Sequence, residues 1–85
     1  MQFDYRALGR VIRRLRMERG LSQEVFSGLA DIARSHLSAI ETGTKEANLN
    51  TLYKIAQITD LTLSELIRMS EDETEKTKPP AEPVV

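Results

Sequence analysis

Residues 22–43 read SQEVFSGLADIARSHLSAIETG, and their reading decides the fold. Apolar residues recur at helical spacing: Phe26 and Leu29, then Leu37 and Ile40. Ser22 is a helix cap for residues 23–29. A capping box would want Glu or Gln at position 25, where Val25 stands. Phe26 and Leu29 are expected to face inward. Ser27 and Gly28 are small enough for another helix to approach, although Gly28 costs roughly 1 kcal/mol against Ala. Ala30, Asp31 and Ile32 form a turn. A turn this sharp needs one residue at positive φ, and Asp tolerates that region, so Asp31 is placed there. A second helix follows over residues 33–42, with Leu37 and Ile40 as its buried side and Gly43 as its stop. Ala33 is a poor cap and weakens that start by about 1 kcal/mol relative to Ser or Thr. The outcome is two short helices at a tight turn, the second with a polar outer face.

Upstream, residues 5–19 read as helix, capped by Asp4 and stopped by Gly20. Leu8, Val11, Ile12 and Leu15 make one apolar stripe. At about 100° per residue, Arg6, Arg10, Arg13 and Arg14 fall on the far side, and Arg16 about 90° from the stripe centre, at the core boundary. An Arg there can snorkel or meet a carboxylate at the core edge. Downstream, residues 44–48 are a polar loop. Asn48 caps a helix over 49–59 with Leu49, Leu52, Ile55 and Ala56 inward. Asp60 repeats the turn role of Asp31. Thr62 opens the capping box T-L-S-E, with Glu65 reaching back, ahead of a helix over about 63–69. The pattern predicts an all-α, compact five-helix domain over residues 1–70. Residues 71–85, EDETEKTKPPAEPVV, are charged, contain Pro and hold almost no large apolar group; they are read as a disordered tail.

At 85 residues the chain has room for one small domain with a modest core, which favours self-association. It has no Cys and one His, so neither a thiolate nucleophile nor a Cys/His metal cluster is available. No Gly-rich phosphate loop or paired carboxylate cleft is visible, and an enzyme is not expected; nor are a cofactor or a metal. No signal-peptide-like or spanning apolar run is present, so a cytoplasmic protein without membrane association is expected. Net charge is −1, but it is unevenly spread. Residues 1–45 carry eight cations against five carboxylates, and the rest four against eight. The first half is therefore the candidate surface for a polyanion. The plainer reading is a solvated basic helix.

The runs IRRLRMERGLSQEVF, SHLSAIETG, LNTLYKIA and LTLSELI, in this order and spacing, resemble the Xre/Cro family of helix-turn-helix DNA-binding domains. That family includes the phage repressors, and the likeness covers residues 8–68. Among stand-alone members the chain looks most like the small controller proteins of restriction-modification systems. The resemblance implies a lambda-repressor-like five-helix fold whose third helix enters the major groove of double-stranded DNA. The residues aimed at base edges would be Arg34, Ser35, His36 and Ala39. Arg can pair bidentately with guanine O6 and N7, Ser can bond a base or phosphate, and Ala can touch a thymine methyl. His36 can donate to a base or stand as an ordinary exposed residue. Gln23 by resemblance contacts phosphate and supports the reading helix. Thr42, Thr44, Lys45 and Asn48, beyond the other end of that helix, can grip the backbone, which positions without specifying sequence. Glu41 by resemblance pairs with Arg16, a structural tie.

The chain departs from the family pattern at five places. Ser27, Asp31, Ala33, Ala47 and Asp60 stand where the family usually has Ala, Gly, Ser or Thr, Pro and Gly. These changes bear on how helix 3 is presented. A homodimer on a palindromic operator is expected, with the two reading helices about 34 Å apart. Its candidate contact surface is Ile58, Leu61, Leu63, Leu66, Ile67 and Met69, which can equally be plain core. The competing reading is an antitoxin-like interaction module that takes a protein partner through its acidic tail, with DNA binding secondary.

Overall fold

The computed structural model describes residues 2–77. They form five helices: α1 (Tyr5–Glu18), α2 (Gln23–Leu29), α3 (Arg34–Thr42), α4 (Leu49–Ile58) and α5 (Leu63–Thr77). Each predicted cap is made. Asp4 accepts from the N–H groups of Arg6 (3.1 Å) and Ala7 (3.0 Å). The Ala7 bond is the main reason its carboxyl titrates below the usual range. Ser22 accepts from Val25 N–H at 3.1 Å and Asn48 from Thr51 N–H at 2.8 Å. The capping box closes both ways: Glu65 N–H donates to the Thr62 hydroxyl (3.1 Å), and Thr62 N–H to the Glu65 carboxylate (2.9 Å).

Four helix ends share one device, at Gly20, Asp31, Gly43 and Asp60, and all but Gly43 follow it with an apolar residue. These four take φ of 65°, 56°, 75° and 58°. The N–H of the next residue then reaches back to a last-turn carbonyl: Leu21 to Arg16, Ile32 to Ser27, Thr44 to Ala39, Leu61 to Ala56. This is the Schellman arrangement, and the apolar residue after the left-handed position packs on the body of the domain in the three cases that have one. Asp thus does at two turns what Gly does at the other two.

The core is built from Leu8, Val11, Ile12, Leu15, Phe26, Leu37, Ile40, Leu52, Ile55 and Leu66. α1 packs across α3 on one flank and α5 on the other; α2 rests on α3, and α4 on α5. Gly9 is what lets α1 and α3 close. A Cβ there would overlap the Ile40 carbonyl and lie 2.6 Å from that of Glu41.

Four expectations are corrected. Leu29 is 56% exposed and Leu49 67% exposed. In the seven-residue α2, the buried face is taken by Phe26 and Ser27, continued by Ala30. Leu29 falls about 100° from that face. In α4, Thr51, Leu52, Ile55 and Ala56 define the buried side, and Leu49 lies at its margin. Gly28 has no neighbour that a Cβ would meet, so of the small pair only Ser27 lies in a helix contact. α5 does not stop near residue 69 but continues to Thr77, taking in the first half of the stretch read as tail. Polar anchors hold that extension: Glu73 bonds two arginines of α1, and the Thr74 hydroxyl donates to the Asp4 carboxylate at 3.3 Å. The rest of the expected tail, residues 78–85, lies outside the described residues.

Candidate nucleic-acid interface

α3 is held from beneath and behind. Leu37 is fully buried and Ile40 2% exposed. Glu41, in the last turn, is the tie. Its two oxygens take Arg16 Nε at 2.7 Å and Arg16 Nη2 at 3.1 Å, a bidentate fork. Gln23 Nε2 donates to the same carboxylate at 3.1 Å, and Arg16 Nη1 to the Leu21 carbonyl at 2.8 Å. The Glu41 side chain is 2% exposed and that of Arg16 11%. The bond to Glu41 is the main cause pushing the Arg16 pKa further up. One carboxylate therefore joins α1, α2 and α3 and sets how α3 is presented.

The face of α3 away from Leu37 and Ile40 carries Ser35, Ala39 and Thr42, with Ser35 and Thr42 exposed and Ala39 half-buried. His36, half-buried, lies on one flank. Arg34, exposed, lies on the other, the flank of Glu41. Ala33 precedes the helix with extended backbone and no side-chain cap, as its chemistry predicts. Arg34 opens onto a depression of about 570 Å³ lined by Arg13, Arg16, Gln23, Arg34, Glu41 and Thr42.

The backbone-grip candidates divide. Gln23 and Thr42 share the depression with Arg34. Gln23 spends one amide hydrogen on Glu41 and keeps a second. The Thr42 hydroxyl donates to the Ser38 carbonyl at 3.0 Å, and the Thr44 hydroxyl to that of Ala39 at 3.2 Å. Gly43, at φ 75°, packs on Arg6, and a Cβ there would lie 2.6 Å from the Arg6 Cγ. Lys45 stands exposed in the following loop. Asn48 uses its oxygen to cap α4, which leaves its amide N–H groups as donors. Of the apolar residues proposed for self-association, Ile58, Leu61, Leu63, Ile67 and Met69 are half-buried against the core. Leu66 is fully buried inside the protomer and leaves that set.

Two features escaped sequence reasoning. Arg10 and Arg14 are held by Glu73, at 3.2 Å and 3.1 Å. Arg13, exposed, stands between the α3 depression and the one lined by Arg10, Arg14 and Glu73, bordering both. The helical wheel held the clue: Arg13 is only about 60° from Arg16, which was already placed against Glu41.

A helix presented through its turn, a polar outer face and a basic flank define a DNA-binding class. Residues 12–66 match the helix-turn-helix family model, and the chain belongs to that family of DNA-binding transcriptional regulators, in its Xre/Cro-like branch. Among particular relatives, it is 39% identical over 66 residues to the control protein C.MunI from a Mycoplasma species, covering 76% of this chain and 89% of that one. It is 32% identical over 59 residues to an uncharacterised helix-turn-helix transcriptional regulator of Sinorhizobium fredii, covering 69% of this chain and 77% of the relative. The crystal structure of the restriction-modification controller protein C.AhdI from Aeromonas hydrophila superposes with a TM-score of 0.70 at 33% identity, over 74% of this chain and 96% of that one. The clp gene regulator ClgR of Corynebacterium glutamicum shares the fold, with a TM-score of 0.81 at 17% identity over 88% of this chain and 80% of its own. No helix among the described residues is long and apolar enough to cross a membrane.

Proposed function

We propose that this chain is a sequence-specific regulator of the restriction-modification controller type, binding a palindromic double-stranded operator as a homodimer with α3 in the major groove. The observation that carries the reading is the outward polar face of α3, clamped from beneath by Leu37 and Ile40 and from behind by the Arg16–Glu41–Gln23 cluster. A helix held this rigidly offers base-reading groups at little conformational cost. Arg34 is the reader of guanine, Ser35 and His36 its polar neighbours, and Ala39 the contact for a thymine methyl. Gln23, Thr42, Thr44, Lys45 and Asn48 position the domain on the backbone. The half-buried apolar residues Ile58, Leu61, Leu63, Ile67 and Met69 are the surface for the second copy. The names of C.MunI and C.AhdI support the controller assignment.

Selection of bound sites from random DNA, with mass measured in solution, tests the reading. It should return a two-fold symmetric site bound by two copies. Arg34→Ala should then lose about 1 to 3 kcal/mol of discrimination at one base pair per half-site. Equal loss on selected and random DNA would remove Arg34 from base reading, and failure to enrich any site would overturn sequence-specific binding itself.

A further inference from the structure

Residues 5–19 carry six arginines, at positions 6, 10, 13, 14, 16 and 19, and the fold distributes them unequally. Arg10 and Arg14 are taken by Glu73. Arg16 is taken by Glu41, and Arg19 by the carbonyls of Leu15 and Thr59. Arg6 lies along Gly43. Arg6 and Arg13 are both exposed and, among the described residues, make no ion pair and no side-chain hydrogen bond; Arg13 is the one of the two that borders the depression beside α3. Arg34 is likewise exposed and, among the described residues, makes neither. Arg13 and Arg34 line one depression from two helices. Among the described residues its one carboxylate is Glu41, whose two oxygens accept from Arg16 and Gln23. The depression therefore sets three guanidinium groups against one carboxylate that already accepts three hydrogen bonds, with a Gln23 amide hydrogen as an added donor.

We infer that Arg13 forms, with Gln23 and the flank of Arg34, a subsite for one DNA phosphodiester, so that α1 belongs to the contact surface beside the helix-turn-helix pair. The inference rests on the proposed reading that α3 meets DNA. An anion there relieves the repulsion between two unpaired cations and accepts from N–H groups for which no protein group serves as acceptor. With Arg13 on the phosphate, Arg34 is left to the base edge. Glu73 holds Arg10 and Arg14, the neighbours of Arg13, and offsets one of their two charges.

The test compares Arg13→Gln with Arg14→Gln, the same charge change one residue away, on the selected operator and on random DNA across a salt series. Arg13→Gln should reduce the slope of log affinity against log salt by about 0.9 for each bound protomer, about 1.8 for the homodimer, on both DNAs. The affinity the dimer loses between roughly 50 and 200 mM salt would then be about twelvefold less than in the parent protein. Arg14→Gln should keep the parent slope. Arg13→Lys should restore it, because a phosphate asks for charge and not for a planar fork. The melting temperature of Arg13→Gln should stay at the parent value. A parent-like slope in Arg13→Gln, an equal drop in Arg14→Gln, or a lowered melting temperature in Arg13→Gln would each overturn the subsite. Such results leave operator selection by the parent protein standing; failure of that selection sinks the functional reading instead.

Discussion

Glu41 accepts from three nitrogens of two side chains while almost wholly buried. Removing Arg16 would leave this carboxylate without its counter-ion in a low-dielectric setting. That loss is far larger than the net worth of the intact pair, because desolvation of the charge is no longer offset. Arg16→Ala is therefore expected to cost about 3 to 5 kcal/mol in urea unfolding. Affinity, measured where the variant is still folded, should change less than stability does. A normal unfolding curve together with lost binding would move Arg16 from the scaffold to the DNA surface. The same residue-level logic separates Arg16 from Arg13: one guanidinium donates from all three nitrogens to protein partners and the other faces solvent.

At the scale of elements, two contacts of α1 decide how α3 is shown. The first is the close approach at Gly9. Overlap with the carbonyls of Ile40 and Glu41 involves backbone on both sides, which cannot swing away as a side-chain tip can. Gly9→Ala should lower stability by about 1 to 3 kcal/mol, the usual cost of overpacking, and should weaken operator binding by tilting α3. An unchanged melt would mean that the two helices part without cost. The second contact is the docking of α5. Bonds from Arg14 and then Arg10 lower the pKa of Glu73 below the ordinary 4.5. A carboxylate whose folded pKa is depressed adds stability above its unfolded pKa and loses it as pH falls through the folded value. The melting-temperature advantage of the parent protein over Glu73→Gln should therefore be full near neutrality and shrink as pH drops below 4.5. A gap that stays constant across that range would show that the ion pairs contribute nothing to docking α5.

Taken as a whole, the molecule is close to neutral, at −1, yet it presents a basic flank beside α3. The acidic half supplies Glu73 to the side of α1 that carries Arg10 and Arg14, away from the α3 depression. Attraction to DNA is thereby concentrated where the reading helix stands. Lys45, exposed in the loop after α3, should contribute one non-specific contact. Lys45→Ala should weaken selected and random DNA alike and flatten the salt slope by about one for each bound protomer. An unchanged slope would place its ammonium away from any phosphate.

What could be read from the residues alone was everything that depends on near neighbours in the chain. Caps act over two or three positions, so Asp4, Ser22, Asn48 and the Thr62–Glu65 box were all legible. The positive-φ turns at Asp31 and Asp60 were legible because few side chains tolerate that conformation. The polar face of α3 followed from helical periodicity over Leu37 and Ile40. The resemblance to the Xre/Cro domains supplied the Arg16–Glu41 tie. Tertiary structure alone decided the length of α5, the exposure of Leu29 and Leu49, the role of Gly9 and the sorting of the α1 arginines. Glu73 meets Arg10 and Arg14 across 63 and 59 residues of chain. No local period encodes a pairing at that distance, because it exists only once two helices have packed side by side.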